Sequence, residues 1–134
     1  MSTETRWRQR YENYKNALEQ LKSAVETELK TDLEREGMIL RFETTIDLAW
    51  KTLQDLLQSR GYINVVGPRP VLQQAFKDNL ISKGDEWKEM LDSRVRNAGP
   101  YREDASVELS KKIINSYYPL LEELDIVLAK INKE

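Results

Sequence analysis

Three long segments repeat apolar residues at alternating steps of three and four, and this spacing constrains the fold more than any other feature. Such steps match the turn of an α-helix, so each segment is expected to be a helix with one apolar face. The predicted long helices cover residues 5–29, 32–60 and 104–132. The apolar seam of the first helix is Trp7, Tyr11, Tyr14, Leu18, Leu21 and Val25. The seam of the second is Ile39, Phe42, Ile46, Ala49, Leu53 and Leu56, widened by Leu40, Trp50 and Leu57. The seam of the third is Leu109, Ile113, Tyr117, Leu120, Leu124, Val127 and Ile131.

The ends of the first two helices carry recognisable signals. Thr31 and Glu34 have the spacing of a capping box, which predicts that the second helix starts there. Gly61 follows its last turn and is a plausible C-cap. Because the turn before Thr31 is very short, these two helices must be antiparallel neighbours.

The last long helix has two unusual features. Ile114, Leu121 and Leu128 form a second apolar stripe beside the first, so the helix is either central in the bundle or also faces another subunit. Pro119 lacks an amide hydrogen and is expected to kink the helix near Tyr118.

Two short helices are predicted between the long ones. Pro70 suits the first position of a helix over residues 70–81, and Lys83-Gly84 breaks it. Asp85 is then expected to cap a helix over residues 85–98, which Gly99-Pro100 ends. The predicted inward face of the first short helix is Leu72, Ala75, Phe76 and Leu80.

These elements predict one domain that spans all 134 residues. The fold class is all-α, as a four- or five-helix up-and-down antiparallel bundle. The N-terminal residues have no apolar signal sequence, and no apolar run approaches the roughly 20 residues of a membrane span. The expected location is therefore cytoplasmic, away from membranes.

The chain contains neither histidine nor cysteine, which excludes imidazole and thiolate chemistry. A ferritin-type metal site needs Glu-x-x-His pairs, and the glycines form no phosphate-binding loop, so we predict no metal, no cofactor and no assigned catalytic residue. With 21 Lys and Arg against 23 Asp and Glu, overall charge does not indicate nucleic-acid binding. Any indication of nucleic-acid binding must therefore come from local clusters of basic residues.

The best local cluster contains Arg94, Arg96, Tyr101 and Arg102. Arginines bind phosphate with two parallel hydrogen bonds, and a tyrosine can stack on a base or present its hydroxyl. Helical spacing places Arg94 beside the inward stripe, which is unusual unless an anion meets it. The alternative is that Val95 takes the inward position and Arg94 merely flanks it.

A second basic cluster surrounds Trp7 and contains Arg6, Arg8 and Arg10. The simplest interpretation is a basic start to a surface helix. We therefore rank it below the cluster around Arg94 as a ligand site.

The central segment resembles a known family. Residues 41–53, RFETTIDLAWKTL, resemble the RFE-x-x-x-x-LAWK-x-L signature of the nucleotidyltransferase substrate-binding proteins, which belong to the HEPN superfamily of small helical proteins. Further similarity lies in Pro68-Arg69 ahead of Ala75-Phe76, in Leu80-Ile81 before Trp87 and Met90-Leu91, and in the start Arg6-Trp7-Arg8-Gln9-Arg10-Tyr11. The resemblance covers nearly the whole chain in collinear order.

The resemblance implies a HEPN-like four- or five-helix bundle that forms a homodimer and is encoded beside a minimal nucleotidyltransferase. In toxin-type relatives of toxin–antitoxin pairs, the dimer is a metal-independent RNase with an Arg-x4-His-x-Tyr motif. The partner transferase silences that toxin by adenylylating the tyrosine. Aligned without gaps, the motif's arginine falls on Arg94, its histidine on Gly99 and its tyrosine on Tyr101.

Without the histidine, the chain loses general acid–base help that is commonly worth ~100- to 10,000-fold in rate. The leading hypothesis is therefore a non-catalytic homodimeric partner of a minimal nucleotidyltransferase. Its predicted nucleotide- or RNA-binding residues are Arg94, Arg96, Tyr101 and Arg102, and Tyr101 is also a possible modification site. The alternatives are an active HEPN-type RNase that replaced its histidine, and a dimeric scaffold without a ligand.

Overall fold

The computed structural model describes residues 2–96 and 102–134, apart from the side chains of residues 95 and 96, and all of its regular structure is helical. The helices are α1 Thr3–Val25, α2 Asp32–Ser59, α3 Pro68–Lys77, α4 Gly84–Arg96, α5 Glu103–Lys112 and α6 Tyr118–Asn132. A π-helical segment, Ile113–Tyr117, joins α5 directly to α6.

The helices form four legs of an up-and-down bundle. Helix α1 runs antiparallel to α2, because Arg10 binds Asp55 while Arg41 reaches the Gln20 carbonyl. It also packs along α6, where the Tyr14 hydroxyl donates to the Leu121 carbonyl. Helix α4 forms the return leg and α3 lies antiparallel beside it, since the start of α3 is ion-paired to the end of α4. Helices α5 and α6 form the last leg. The predicted all-α bundle is confirmed.

Most residues of the predicted seams lie in the core. All six seam residues of α2 are buried, as are the first five of α1 and the first five of the last leg. The second stripe also lies against the core, with Leu121 and Leu128 fully buried and Ile114 half-buried. A position inside the bundle therefore accounts for both stripes of the last leg.

Both helix-end signals of α2 act as predicted. Thr31 Oγ1 accepts the Glu34 amide at 3.2 Å, and the Glu34 carboxylate accepts the Thr31 amide at 2.9 Å. At the other end Gly61 adopts φ +101°, a left-handed conformation that costs glycine little. This lets Gly61 and Tyr62 donate back to the Gln58 and Leu57 carbonyls.

Three helices have boundaries that differ from the predicted ones. Helix α1 ends at Val25 rather than residue 29, because several non-helical residues are needed to reverse the chain before the capping box. Helix α3 begins at Pro68 and ends at Lys77, since Pro68 and Pro70 both fit a first turn whose amides have no helical acceptor. Helix α4 starts at Gly84, and the predicted stop at Gly99-Pro100 lies outside the described residues.

Two residues assigned to inward faces stand at the surface. Leu40 is 65% exposed and Phe76 is 50% exposed. In each case the helical periodicity is real, but the buried face is rotated from the predicted one, as the burial of Met38 and Thr45 on α2 shows. On α3, Val71 takes the inward position instead of Phe76.

The predicted disturbance at Pro119 takes the form of the π-helical segment. Pro119 lies in the first turn of α6, directly after that segment. A π-helical turn shifts the hydrogen-bond register, so it helps the helix continue past a residue that cannot donate. The Tyr117 ring of this segment stacks on Phe42, with ring centroids 5.6 Å apart.

Candidate anion-binding site at the end of α4

Arg94 lies in the last turn of α4 and points toward α2. Its Nη1 donates to Asp47 Oδ1 at 2.5 Å, and its side chain is 28% exposed. Its Nε is buried and has no hydrogen-bond partner among the described residues. Arg94 is thus partly buried and faces α2, whereas the alternative in which Val95 takes the inward position concerns a side chain outside the description.

Two further side chains of α2 surround the ion pair. The indole Nε1 of Trp50 faces Asp47 Oδ1 at 3.4 Å, a long contact to the same oxygen that binds Arg94. Glu43 lies one turn before Asp47 and is half-buried. Burial raises the pKa of Glu43, the negative charge of Asp47 raises it further, and Arg94 lowers it.

The cluster therefore contains one cation, two carboxylates and one indole. Glu43, Asp47 and Trp50 were not selected as site residues from the sequence, although all three belong to the segment that carries the family resemblance. Their spacing of four and three residues puts them on one face of α2, and that polar face was the available signal. What the sequence alone did not show is that this face meets Arg94.

The structure describes only part of the other predicted site residues. Arg96 is the last residue of α4, and its side chain lies outside the description. Gly99 and Tyr101 also lie outside the described residues. Arg102 directly precedes α5, is exposed and provides no side-chain cap.

The second basic cluster forms internal contacts. Arg8 Nη1 donates to the Asn132 carbonyl at 2.5 Å and to Asn132 Oδ1 at 2.7 Å, while its Nε and Nη2 bind Glu4. Arg10 binds Asp55, which is 4% exposed. Of the three arginines, only Arg6 is exposed. Arg8 and Arg10 therefore connect α1 to the end of α6 and to α2.

A cavity of about 570 Å³ lies between α4 and α5. Glu89 borders it and accepts hydrogen bonds from the Tyr117 hydroxyl at 2.8 Å and from Lys112 Nζ at 3.0 Å. Ser93, which precedes Arg94, is buried at the same cavity. The carboxylate of Glu89 is thus already neutralised by its neighbours.

Across residues 2–96 and 102–134, no group of three potential metal-ligating side chains comes together. Within the same residues, no helix has the length and apolar character needed to cross a bilayer.

Comparison with known proteins agrees with the resemblance in the sequence. Residues 9–130 match the family model described as nucleotidyltransferase substrate binding protein like. A crystal structure of a protein from Thermus thermophilus superimposes with a TM-score of 0.77 and 26% sequence identity, covering 88% of this chain and 98% of the other. No curated protein is significantly similar to the chain.

Proposed function

Because the chain belongs to the family of nucleotidyltransferase substrate-binding-like proteins, we propose that it pairs with a minimal nucleotidyltransferase and binds a phosphate of a nucleotide or RNA through Arg94. The observation that carries this proposal is the incomplete coordination of Arg94. Its only described ion pair is with Asp47, and its buried Nε lacks an acceptor among the described residues. An unsatisfied buried donor costs about 1–3 kcal/mol, which a phosphate oxygen would recover.

The carboxylates beside Arg94 are placed so that a phosphate can replace a carboxylate as the partner of the guanidinium. Asp47 is 36% exposed, so an incoming phosphate can compete with it for the guanidinium. Glu43 lies on the same side of Arg94, and the pKa of its carboxyl is raised chiefly by burial and further by Asp47, so Glu43 carries a negative charge less readily than an exposed glutamate. Arginine suits such an exchange because its planar fork binds carboxylate and phosphate with the same geometry.

In this proposal the active form is a HEPN-like homodimer, and the Arg94 sites of the two protomers face a shared groove. Arg96, Tyr101 and Arg102 would extend each site beyond α4. Tyr101 is also the residue that the partner would modify. Since Gly99 stands where toxin-type relatives have their histidine, the proposed role is binding without RNA cleavage.

The experiment has two parts. Size-exclusion chromatography of the chain with a nucleotidyltransferase encoded beside it should give a complex larger than either protein alone. Fluorescence anisotropy with a labelled single-stranded RNA should then give weaker binding for Arg94→Ala and a salt dependence reduced by about 0.7 in log–log slope, as expected for one lost phosphate contact.

Arg6→Ala is the matched control, because Arg6 is an exposed arginine in the other basic cluster. If Arg6→Ala and Arg94→Ala weaken RNA binding equally, the binding is non-specific and the assigned site is wrong. If the native chain cleaves the RNA and Arg94→Ala does not, the alternative of an active RNase replaces the binding role. A chain that forms no complex and binds no RNA supports the ligand-free scaffold.

A further inference from the structure

A groove separates α3 from α4, and neither Asp47 nor Arg94 lines it. Its volume is about 830 Å³, within the range of roughly 300–1,000 Å³ typical of small-molecule sites. Leu72 and Leu91 form an apolar floor, and both are almost fully buried. Arg69, which pairs with Asp92 at 2.6 Å, also borders the groove.

The half-exposed ring of Phe76 forms one wall of this groove. It lies against Gly84 at the start of α4, where an added Cβ would come within 3.2 Å of Phe76 Cδ2. That distance is tighter than ordinary van der Waals contact, so the absence of a side chain at Gly84 allows the ring to sit where it does. Half of this large apolar side chain remains accessible as a flat surface beside the groove.

Charged side chains line the groove around that ring. Lys83 and Lys88 border it, and neither forms an ion pair within the part of the chain that the structure describes. Asp85 and Glu86 also border it and can accept hydrogen bonds from amino groups. The groove thus combines an accessible aromatic face, two available cations and two hydrogen-bond acceptors.

We propose that this groove binds a mononucleotide whose base stacks on Phe76 and whose phosphate meets Lys83 and Lys88. Stacking on an aromatic side chain uses the π-face that every base has. The lysines supply point charges for the phosphate, and a carboxylate of Asp85 or Glu86 accepts the exocyclic amino group of an adenine or cytosine base. This site is separate from Arg94 and does not depend on the proposed pairing with a transferase.

The test is a titration of the full chain with AMP, with adenosine and with inorganic phosphate, followed by amide NMR shifts. AMP should shift the amides of Phe76 and Gly84 in a saturable manner, adenosine should bind more weakly, and phosphate alone should not saturate. Phe76→Leu should weaken AMP binding by about fivefold or more, which is the lower end of the stacking contribution. Lys83→Ala with Lys88→Ala should bring the affinity for AMP close to that for adenosine.

Leu40→Ala is the matched control, since Leu40 is an exposed apolar residue of α2 outside the groove, and it should leave AMP binding unchanged. Arg94→Ala should also retain AMP binding in the groove. If Arg94→Ala abolishes the AMP shifts, the nucleotide binds at the other site and the groove proposal fails. It also fails if AMP gives no saturable shifts, if Phe76→Leu binds AMP normally, or if a peptide helix of a partner protein proves to occupy the groove.

Discussion

The two basic clusters look alike in the sequence, but the structure gives their arginines different surroundings. Arg8 uses its guanidinium on two oxygens of Asn132 and on Glu4, and its cation lies 4.9 Å from the centre of the Trp7 ring. Arg94 has one described ion pair and a buried Nε without a described acceptor. An arginine whose donors are all satisfied stabilises the fold, whereas one with an unsatisfied donor is a candidate for binding a ligand.

The largest effect is expected from Arg10, in the structural cluster. Arg10→Ala leaves the carboxylate of Asp55 buried without its cation, so the free energy of unfolding should fall by about 3 kcal/mol. Urea denaturation measures the loss. The double variant Arg10→Ala with Asp55→Asn should recover part of it, and a double variant as unstable as Arg10→Ala would show that the loss comes from packing rather than from the unpaired charge.

A smaller loss is expected for Arg8→Lys, which keeps the charge. A lysine cannot reach Asn132 and Glu4 simultaneously with the geometry of a guanidinium, so stability should fall by about 1–2 kcal/mol. Thermal unfolding checks this, with Arg6→Lys as the control at a surface position. Equal melting temperatures for wild type and Arg8→Lys would contradict a structural role for this cluster.

Asp47→Asn tests the other side of the comparison. Removing the competing negative charge frees the Arg94 guanidinium, so affinity for a single-stranded RNA should rise by about threefold to tenfold. Anisotropy titration measures the change. Asp92→Asn, which removes the partner of Arg69 instead, is the control, and an equal gain from both variants would point to overall charge rather than to Arg94.

Arg94→Ala should change stability much less than Arg10→Ala. The partly exposed pair with Asp47 contributes little after solvent screening, and deletion also removes an unsatisfied buried donor, so the loss should stay below about 1 kcal/mol. Urea denaturation compares the two variants directly. A loss as large as that of Arg10→Ala would make Arg94 a structural arginine like the others.

The smallest effect is a pH-dependent one at Glu43. Burial and the charge of Asp47 raise the pKa of Glu43 in the folded state, so ionisation of Glu43 disfavours folding. The stability that protonated Glu43 contributes is therefore lost as pH rises through the folded-state pKa. Because solvent screens this partly exposed group, Glu43→Gln should be only slightly more stable than wild type at neutral pH. Urea denaturation across a pH series should show the difference vanishing below the ordinary glutamate pKa of 4.5. A constant difference at all pH values would contradict this explanation.

Much of the fold was predictable because helix periodicity and capping are local properties. The seams of α1, α2 and the last leg, the capping box at Thr31 and the glycine after α2 all follow from neighbouring residues. The helix ends near residues 25 and 68 were missed because they depend on how the chain must turn to pack. Leu40 and Phe76 were misplaced because apolar periodicity gives only an approximate direction on a helix, and packing against the neighbouring helices decides which side is covered.

The sequence by itself determined an all-helical chain, its long amphipathic helices and its membership of a family through residues 41–53. It also identified Arg94 as the leading arginine. Only the tertiary structure decided that Arg8 and Arg10 are engaged in fixed contacts while Arg94 meets Asp47 on another helix, beside Trp50 and Glu43. The physical reason is that partners on different helices are brought together by packing, and no spacing along one segment encodes that contact.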